Sequence, residues 1–342
     1  MGSVQISNHS PHQTTRCDER GTATDRGNNL STLEKKDAAL RENIANALWK
    51  DDVLRALDYY EIDLRVKNEI VTLSGHILGQ SSWSRIENAI RATAGDVEIK
   101  NDLILDDQLT LDVAAELGSL EQAYHCKFFT GASYGVVSIN GTVRDENIRL
   151  LAEKCAAGNP NVRGVVNNIE VSGARLKLKG QPFLQPIIGG TIYFLDWVSA
   201  VVKQVIINPN NRRVIAMVIQ GNFIDQHSGL NSQKDGKARP AERLVIVRME
   251  AVRHLTRISG FLYIRSNDRD HYMDFDPAYF IAPNEDWVPP YPYCPDDVVF
   301  TVKSPPAGEK MENSAGRSTS SNPVTKERVY SEELLANDSL GG

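Results

Sequence analysis

Apolar and polar positions follow two different periods between residues 38 and 173. Leu40, Ile44, Ala47 and Leu48 recur at helical spacing and predict a helix with one buried face. Residues 62–66 then alternate apolar with polar, which predicts a half-buried strand that turns back into a second strand. A second helical pattern and a last apolar run follow. The order predicted for this unit is helix, strand, strand, helix, strand.

The same unit occurs a second time, shifted by 66 positions without a gap. Two pairs of residues that interrupt the pattern share this offset: Gly75 with Gly141, and Asn101 with Asn167. The apolar positions between them stay in register, which indicates duplication of one unit rather than coincidence. We therefore predict one domain at 37–108 and a second at 109–173.

The residues around these four positions resemble a known family. Residues 73–77 and 99–103 are similar to the BON domain, a small αββαβ module, and residues 139–143 and 165–169 repeat the signature. Gly75, Gly141, Asn101 and Asn167 are then structural signature positions. The resemblance implies binding to phospholipid or another envelope surface, and a role in stress response.

Residues 187–266 change to short β segments. A turn at 208–211 separates two strands, and the second of these, 214–219, is apolar on both faces, as in the wall of a small barrel. This region resembles the PRC-barrel, a module that docks proteins, membranes or ribosomal assemblies. The predicted fold class is therefore α+β, with two tandem αββαβ units followed by a small PRC-type β-barrel.

The remaining segments complete the predicted organisation. Residues 174–186 form a linker, and 267–303 form an acidic arm rich in proline and aromatic residues, which we expect to pack on the barrel. A competing interpretation makes this arm a proline-rich ligand for another protein. Residues 1–36 and 304–342 have the composition of disordered tails.

Charge is segregated along the chain, which carries a net charge of -6. Residues 187–266 hold 11 Lys/Arg and 5 Asp/Glu, whereas 267–303 hold 2 and 8. The basic region could attract anionic lipid or nucleic acid, but the acidic arm can neutralise it within the same molecule. Basic residues interleave little with aromatic ones there, which argues against nucleic acid as a partner.

The apolar runs and the cysteines of the sequence indicate the cellular compartment of the protein. It contains no run of eighteen apolar residues and no apolar core of a secretory signal near its start. Four cysteines without CxxC spacing predict reduced thiols. We expect a cytoplasmic protein without a transmembrane segment that can associate peripherally with a membrane.

Two common motifs that carry chemistry, GxGxxG and HExxH, do not occur in the sequence. The adjacent His125 and Cys126 would point to opposite faces of a strand. The aspartates around His271 lack the glycine and glutamate of a calcium loop. We therefore predict no catalytic residue, no cofactor and no metal site, and a protein that is not an enzyme.

These observations favour a non-catalytic adaptor. The BON units would engage a phospholipid or envelope surface, and the barrel would dock a protein partner. Two alternatives remain open from the sequence. One is an RNA- or ribosome-associated factor acting through the basic barrel, and the other is a small-ligand or ion sensor built from the paired units.

Overall fold

The computed structural model describes residues 32–173, 183–224 and 240–301. Most of the predicted tails at 1–36 and 304–342, and residues 174–182 of the predicted linker, lie outside these residues. The first helix begins at Thr32, five residues inside the segment expected to be a tail. Residues 221–224 and 240–243 belong to strands, and residues 225–239 lie outside the described residues.

The first repeat contains the predicted elements and one additional short helix. Its elements in chain order are α1 (Thr32–Lys50), α2 (Asp52–Ala56), β1 (Ile62–Lys67), β2 (Ile70–Ile77), α3 (Gln80–Ala94) and β3 (Glu98–Leu105). A 3-10 turn at Tyr59–Glu61 leads from α2 into β1. The helices bury Ile44, Leu48, Ile86 and Ile90 against one face of the sheet.

The second repeat follows without a linker. Its elements are α4 (Asp106–Tyr124), β4 (Phe128–Ser133), β5 (Val136–Val143), α5 (Glu146–Ala157) and β6 (Gly164–Val171). Asp145 caps α5, because its carboxylate accepts the Ile148 N–H at 3.2 Å. The core face of α5 is formed by Ile148, Ala152 and Ala156, whereas Leu151 is 41% exposed.

Both repeats have the same sheet topology. The strand orders are β1-β2-β3 and β4-β5-β6; the first pair in each is antiparallel and the second pair is parallel. The parallel neighbours of Gly75 and Gly141 are Leu103 and Ile169, 28 positions further along in both repeats. The predicted α+β class is confirmed.

The remaining strands form one larger sheet, which we call the C-terminal sheet. Its strands are β7 (Thr191–Tyr193), β8 (Ser199–Asn208), β9 (Arg213–Ile224), β10 (Pro240–Arg248), β11 (Val252–Leu255), β12 (Ser259–Leu262), β13 (Tyr272–Asp274), β14 (Phe280–Ile281) and β15 (Val298–Thr301). The strand order is β11-β12-β7-β8-β9-β10-β13, and β15 pairs with both β8 and β14.

The predicted closed barrel is not found in the described residues. The sheet curls around one core, to which Ile192, Val205, Val247 and Leu262 all contribute, and only three residues connect β10 to β11. In the described residues the strand order ends at β11 on one side and at β13 on the other, and β13 pairs with β10 at Val245–Val247.

The arm predicted at 267–303 covers part of this sheet. Phe280 and Val299 pack on Ile206, Val218 and Ile246, the face of β8–β10 that points away from the main core. Trp287 and Tyr293 pack at the main core itself. The aromatic residues of the arm are therefore used within the chain.

Candidate functional site

The two signature glycines occupy equivalent places. Gly75 lies opposite Ile62 and Gly141 opposite Phe128, with φ angles of 123° and 154° that disfavour any other residue. A Cβ on Gly75 would lie 2.0 Å from the carbonyl oxygen of Glu61, and one on Gly141 would lie 2.5 Å from that of Lys127. Each glycine therefore lets the second strand of its repeat pass close to the residue that directly precedes the first strand.

The two signature asparagines also correspond. The side-chain oxygen of Asn101 accepts the Leu103 N–H at 3.1 Å, and that of Asn167 accepts the Ile169 N–H at 3.2 Å. Asn167 further donates to the Glu153 carboxylate of α5 at 2.7 Å. These amides are bonded to the chain itself, so their role is to shape the strand.

A buried carboxylate holds the hairpin turn of each repeat. Asp37 accepts the N–H groups of Asn68 and Glu69 at 2.7 and 2.9 Å. In the second repeat, Asp106 accepts those of Tyr134 and Gly135. The sequence comparison missed this pair because the two aspartates are separated by 69 positions rather than 66.

The turn of the second repeat lies in a buried junction between the repeats. The His76 side chain is 1% exposed and lies against Gly135, and its Nδ1 is 3.8 Å from an oxygen of Asp106. This distance exceeds a hydrogen bond, and Nδ1 has no hydrogen-bond partner in the described residues. Burial lowers the pKa of His76, outweighing the opposing influence of Asp106, so the neutral imidazole is favoured.

Arg163 connects this junction to Gln185 and to Tyr291 of the arm. Its guanidinium bonds Glu61 of the first repeat at 2.8 Å and the Tyr134 carbonyl at 3.0 Å. The same guanidinium bonds Gln185 at 3.1 Å through Nε and lies 5.4 Å from the Tyr291 ring centre. Gln185 in turn donates to the Tyr291 carbonyl. One side chain thus links the two repeats and the arm.

Arg212 forms a second link, from the β8–β9 turn. It is 2% exposed, and its guanidinium donates to the carbonyl oxygens of Val162 and Val288 while stacking over Trp287. Burial lowers the pKa of Arg212 to about 10. The second repeat and the C-terminal sheet are therefore fixed to each other by a buried cation that bonds backbone carbonyls.

The residues considered for chemistry are not brought together. His125 ends α4 in a left-handed conformation, and Cys126 is half-buried with its thiol pKa raised by burial, which disfavours the reactive thiolate. His271 lies 3.7 Å from Asp268, and Asp274 pairs with Arg243 instead. In the described parts of the chain, no three His, Cys, Asp or Glu side chains cluster as metal ligands would.

An exposed aromatic surface is the most distinctive outward feature of the first repeat. Trp49, Val53, Leu57 and Tyr60 are each 41 to 45% exposed, although all are large and apolar. We call these four residues the first-repeat aromatic surface. The Trp49 ring meets the rings of Tyr59 and Tyr60 edge-on at 5.1 and 6.0 Å, so the aromatic part is ordered by ring contacts.

Cations border this surface. Arg55 lies 5.6 Å over the Trp49 ring, and Lys50 ends α1 beside it. Arg257, from the turn between β11 and β12, lies 4.9 Å over the Tyr60 ring. The acidic Asp51 and Asp52 lie in the same stretch, and Asp52 pairs with Arg55. Amphipathic rings beside cations are typical of sites that meet a membrane–water interface.

Comparison with known proteins supports the sequence resemblance for the N-terminal part. The BON domain model matches residues 36–107 and 131–173. No curated protein matches the chain. The resemblance of the C-terminal sheet to a PRC-barrel remains a prediction.

Two solved structures are similar to part of this chain. Both are of CdsD, a structural protein of the type III secretion system of Chlamydia trachomatis, and both are 14% identical to this chain. One match, with a TM-score of 0.33, covers 41% of this chain and 65% of that chain. The other, to a C-terminal domain, has a TM-score of 0.31 and covers 40% and 66%. The chain thus spans slightly less than two thirds of these relatives.

The helices were also compared with the requirements of a membrane span. Within the residues that the structure describes, every helix is too short or too polar to cross a bilayer.

Proposed function

We propose that this protein is a non-catalytic adaptor that binds an anionic phospholipid surface through its first repeat and a protein partner through its C-terminal part. The observation that supports it most is the first-repeat aromatic surface. Four large apolar side chains are exposed within residues 49–60, and the rings of Trp49 and Tyr60 are in contact, an arrangement that suggests a binding site.

The composition of the surface favours lipid as its ligand. Trp49 and Tyr60 can place their rings among lipid headgroups, while Val53 and Leu57 reach the acyl boundary. Lys50 and Arg55 can then meet anionic phosphates, each contributing about 1 kcal/mol near such a surface. Asp52, which pairs with Arg55 at 2.6 Å, reduces this attraction and makes the apolar contribution necessary.

The test is sedimentation of the full chain with vesicles of phosphatidylcholine, alone or mixed with phosphatidylglycerol. We expect binding to the mixed vesicles that weakens with salt, and about tenfold weaker binding for Trp49→Ala because its interfacial ring is lost. Phe129→Ala is the matched control, since Phe129 is a 69% exposed aromatic residue on the second repeat. Equal binding by both variants, or none by the wild type, would refute the lipid proposal.

The adaptor part of the proposal is supported by the fixed connection between the modules. Arg163 and Arg212 hold the second repeat against the arm and the C-terminal sheet, so a lipid-bound first repeat would present the rest of the chain in a defined orientation. Vesicles coated with the chain should retain a protein from lysate that naked vesicles and Trp49→Ala samples do not. If the coated vesicles retain nothing more, the chain is not an adaptor.

A further inference from the structure

A second aromatic surface lies on the outer face of the C-terminal sheet. Tyr193 of β7 and Phe261 of β12 are direct neighbours in the parallel pair, and their rings stack at 5.4 Å. Trp197 meets both rings edge-on at 6.5 Å and is 76% exposed. Leu195 and Tyr263 are exposed by 47 and 59%. These five residues are called the Trp197 platform.

The exposed tryptophan is held by an ordered turn. The Asp196 carboxylate accepts the backbone N–H of Ser266 at 3.2 Å and its hydroxyl at 2.6 Å. Leu195 N–H donates to the Ile264 carbonyl at 2.9 Å, and Trp197 has a φ of 64°, which is rare for a bulky residue. The chain therefore fixes a large apolar ring in solvent at a conformational cost, a combination that suggests a function.

Within the described residues, the arm packs over a different part of the outer sheet face from the platform. Over β8–β10, Phe280 and Val299 cover that face. Over β7 and β12 the inward residues Ile192 and Leu262 belong to the main core, whereas Tyr193 and Phe261 point outward. Burying the platform against another apolar phase would be favourable in proportion to the area removed from water.

The turn between β11 and β12 joins the platform to the first-repeat aromatic surface. Arg257 in this turn stacks on Tyr60, and the next residue, Ile258, is 78% exposed. β12 runs from this turn directly to Phe261 in the platform. The β11–β12 turn and β12 therefore form a continuous stretch of chain from the Tyr60 contact to Phe261, which we call the band.

We infer that the Trp197 platform is a second lipid-contact site, which enters the same anionic bilayer as the first-repeat aromatic surface. This inference rests on the proposed function. Leu195 and Ile258 are aliphatic and match acyl chains rather than nucleobases. Arg253, Arg257 and Arg265 are exposed around the band and match anionic headgroups.

The test uses full-length Trp49→Phe and Trp197→Phe variants, each retaining the other tryptophan, with phosphatidylglycerol vesicles that contain brominated phosphatidylcholine. Trp83 and Trp287 pack at the cores and give a constant background. We expect bromine to quench both Trp49 and Trp197, and Trp197→Ala to weaken vesicle binding about tenfold. Phe129→Ala again serves as the control.

Each outcome separates the inference from the proposed function. Quenching of Trp49 without Trp197 would overturn the inference and leave the first-repeat site intact. No vesicle binding at all would overturn both. If Trp197→Ala instead abolished binding of a single-stranded RNA at low salt while leaving vesicle binding unchanged, the platform would be a nucleic-acid site and the inference would be wrong.

Discussion

The two repeats share one backbone plan and differ in what surrounds it. Both place a glycine, an asparagine and a turn-binding aspartate at equivalent points. The first repeat leaves its turn at Asn68–Glu69 exposed and carries the aromatic surface, whereas the turn of the second repeat lies inside the junction. When the repeats are aligned on their turn-binding aspartates, Asp37 and Asp106, the position of Trp49 in the first repeat is taken by Gly118 in the second. The two copies of the fold thus differ in their surroundings: the first carries the surface proposed to bind lipid, and the second contributes its turn to the junction.

The largest effect is expected at the signature glycines. Gly75→Ala should lower the free energy of unfolding by at least about 3 kcal/mol, and Gly141→Ala by about 2 kcal/mol, because both force a Cβ against a carbonyl oxygen, more closely at Gly75. Urea unfolding measures both. Gly118→Ala is the control; its Cβ would meet nothing within 4 Å, and it should stabilise α4 by about 0.5 kcal/mol. A Gly75→Ala protein as stable as the wild type would refute the close approach of the Gly75 backbone to the Glu61 carbonyl.

The two turn-binding aspartates should differ in their contributions. Asp106→Asn should cost about 2–3 kcal/mol and Asp37→Asn about 1 kcal/mol, because an amide replaces one acceptor by a donor and Asp106 is the more deeply buried. Thermal unfolding of the two variants side by side provides the measurement. Equal losses of stability in the two variants would show that burial in the junction does not increase the contribution of Asp106.

The smallest of the three effects is a pH dependence specific to the junction. Since burial lowers the pKa of His76 below its ordinary value of 6.5, the unfolded chain binds the proton more readily. The contribution of His76 is therefore present above pH 6.5 and is lost as the pH falls through the pKa of the folded state. Asp106 and Glu61 oppose this loss, and Arg163 strengthens it.

The difference in the free energy of unfolding between wild type and His76→Gln isolates the titration of His76 from the titration of the carboxylates. The free energy of unfolding of the wild type should fall more steeply below pH 6.5 than that of the variant. Parallel curves would mean that His76 does not titrate differently in the folded protein.

The sequence was sufficient for the parts of the fold that depend on local backbone chemistry. Gly75 and Asn101 are required by strand geometry within one repeat, so their spacing recurs and could be read. The closed barrel was predicted wrongly because β13 comes from the arm, whose sequence has no period, and its pairing with β10 is a long-range event.

The candidate site was less predictable. The burial of His76 and Arg212 could not be predicted from the sequence, because it arises only when separate modules meet. Asp106 could have been found, since two aspartates directly after a strand are a signal for a helix start. The exposed aromatic residues carry no pattern that separates them from core residues, and only the fold shows which of them face solvent.

Hydrogen exchange of the full chain, with and without phosphatidylglycerol vesicles, tests the division of roles between the repeats most directly. The account predicts slower exchange at residues 49–61 and at the β11–β12 turn on vesicle addition, and unchanged exchange at β4 and β5 of the second repeat. Protection that appears in β4 and β5 but not at residues 49–61 would contradict it.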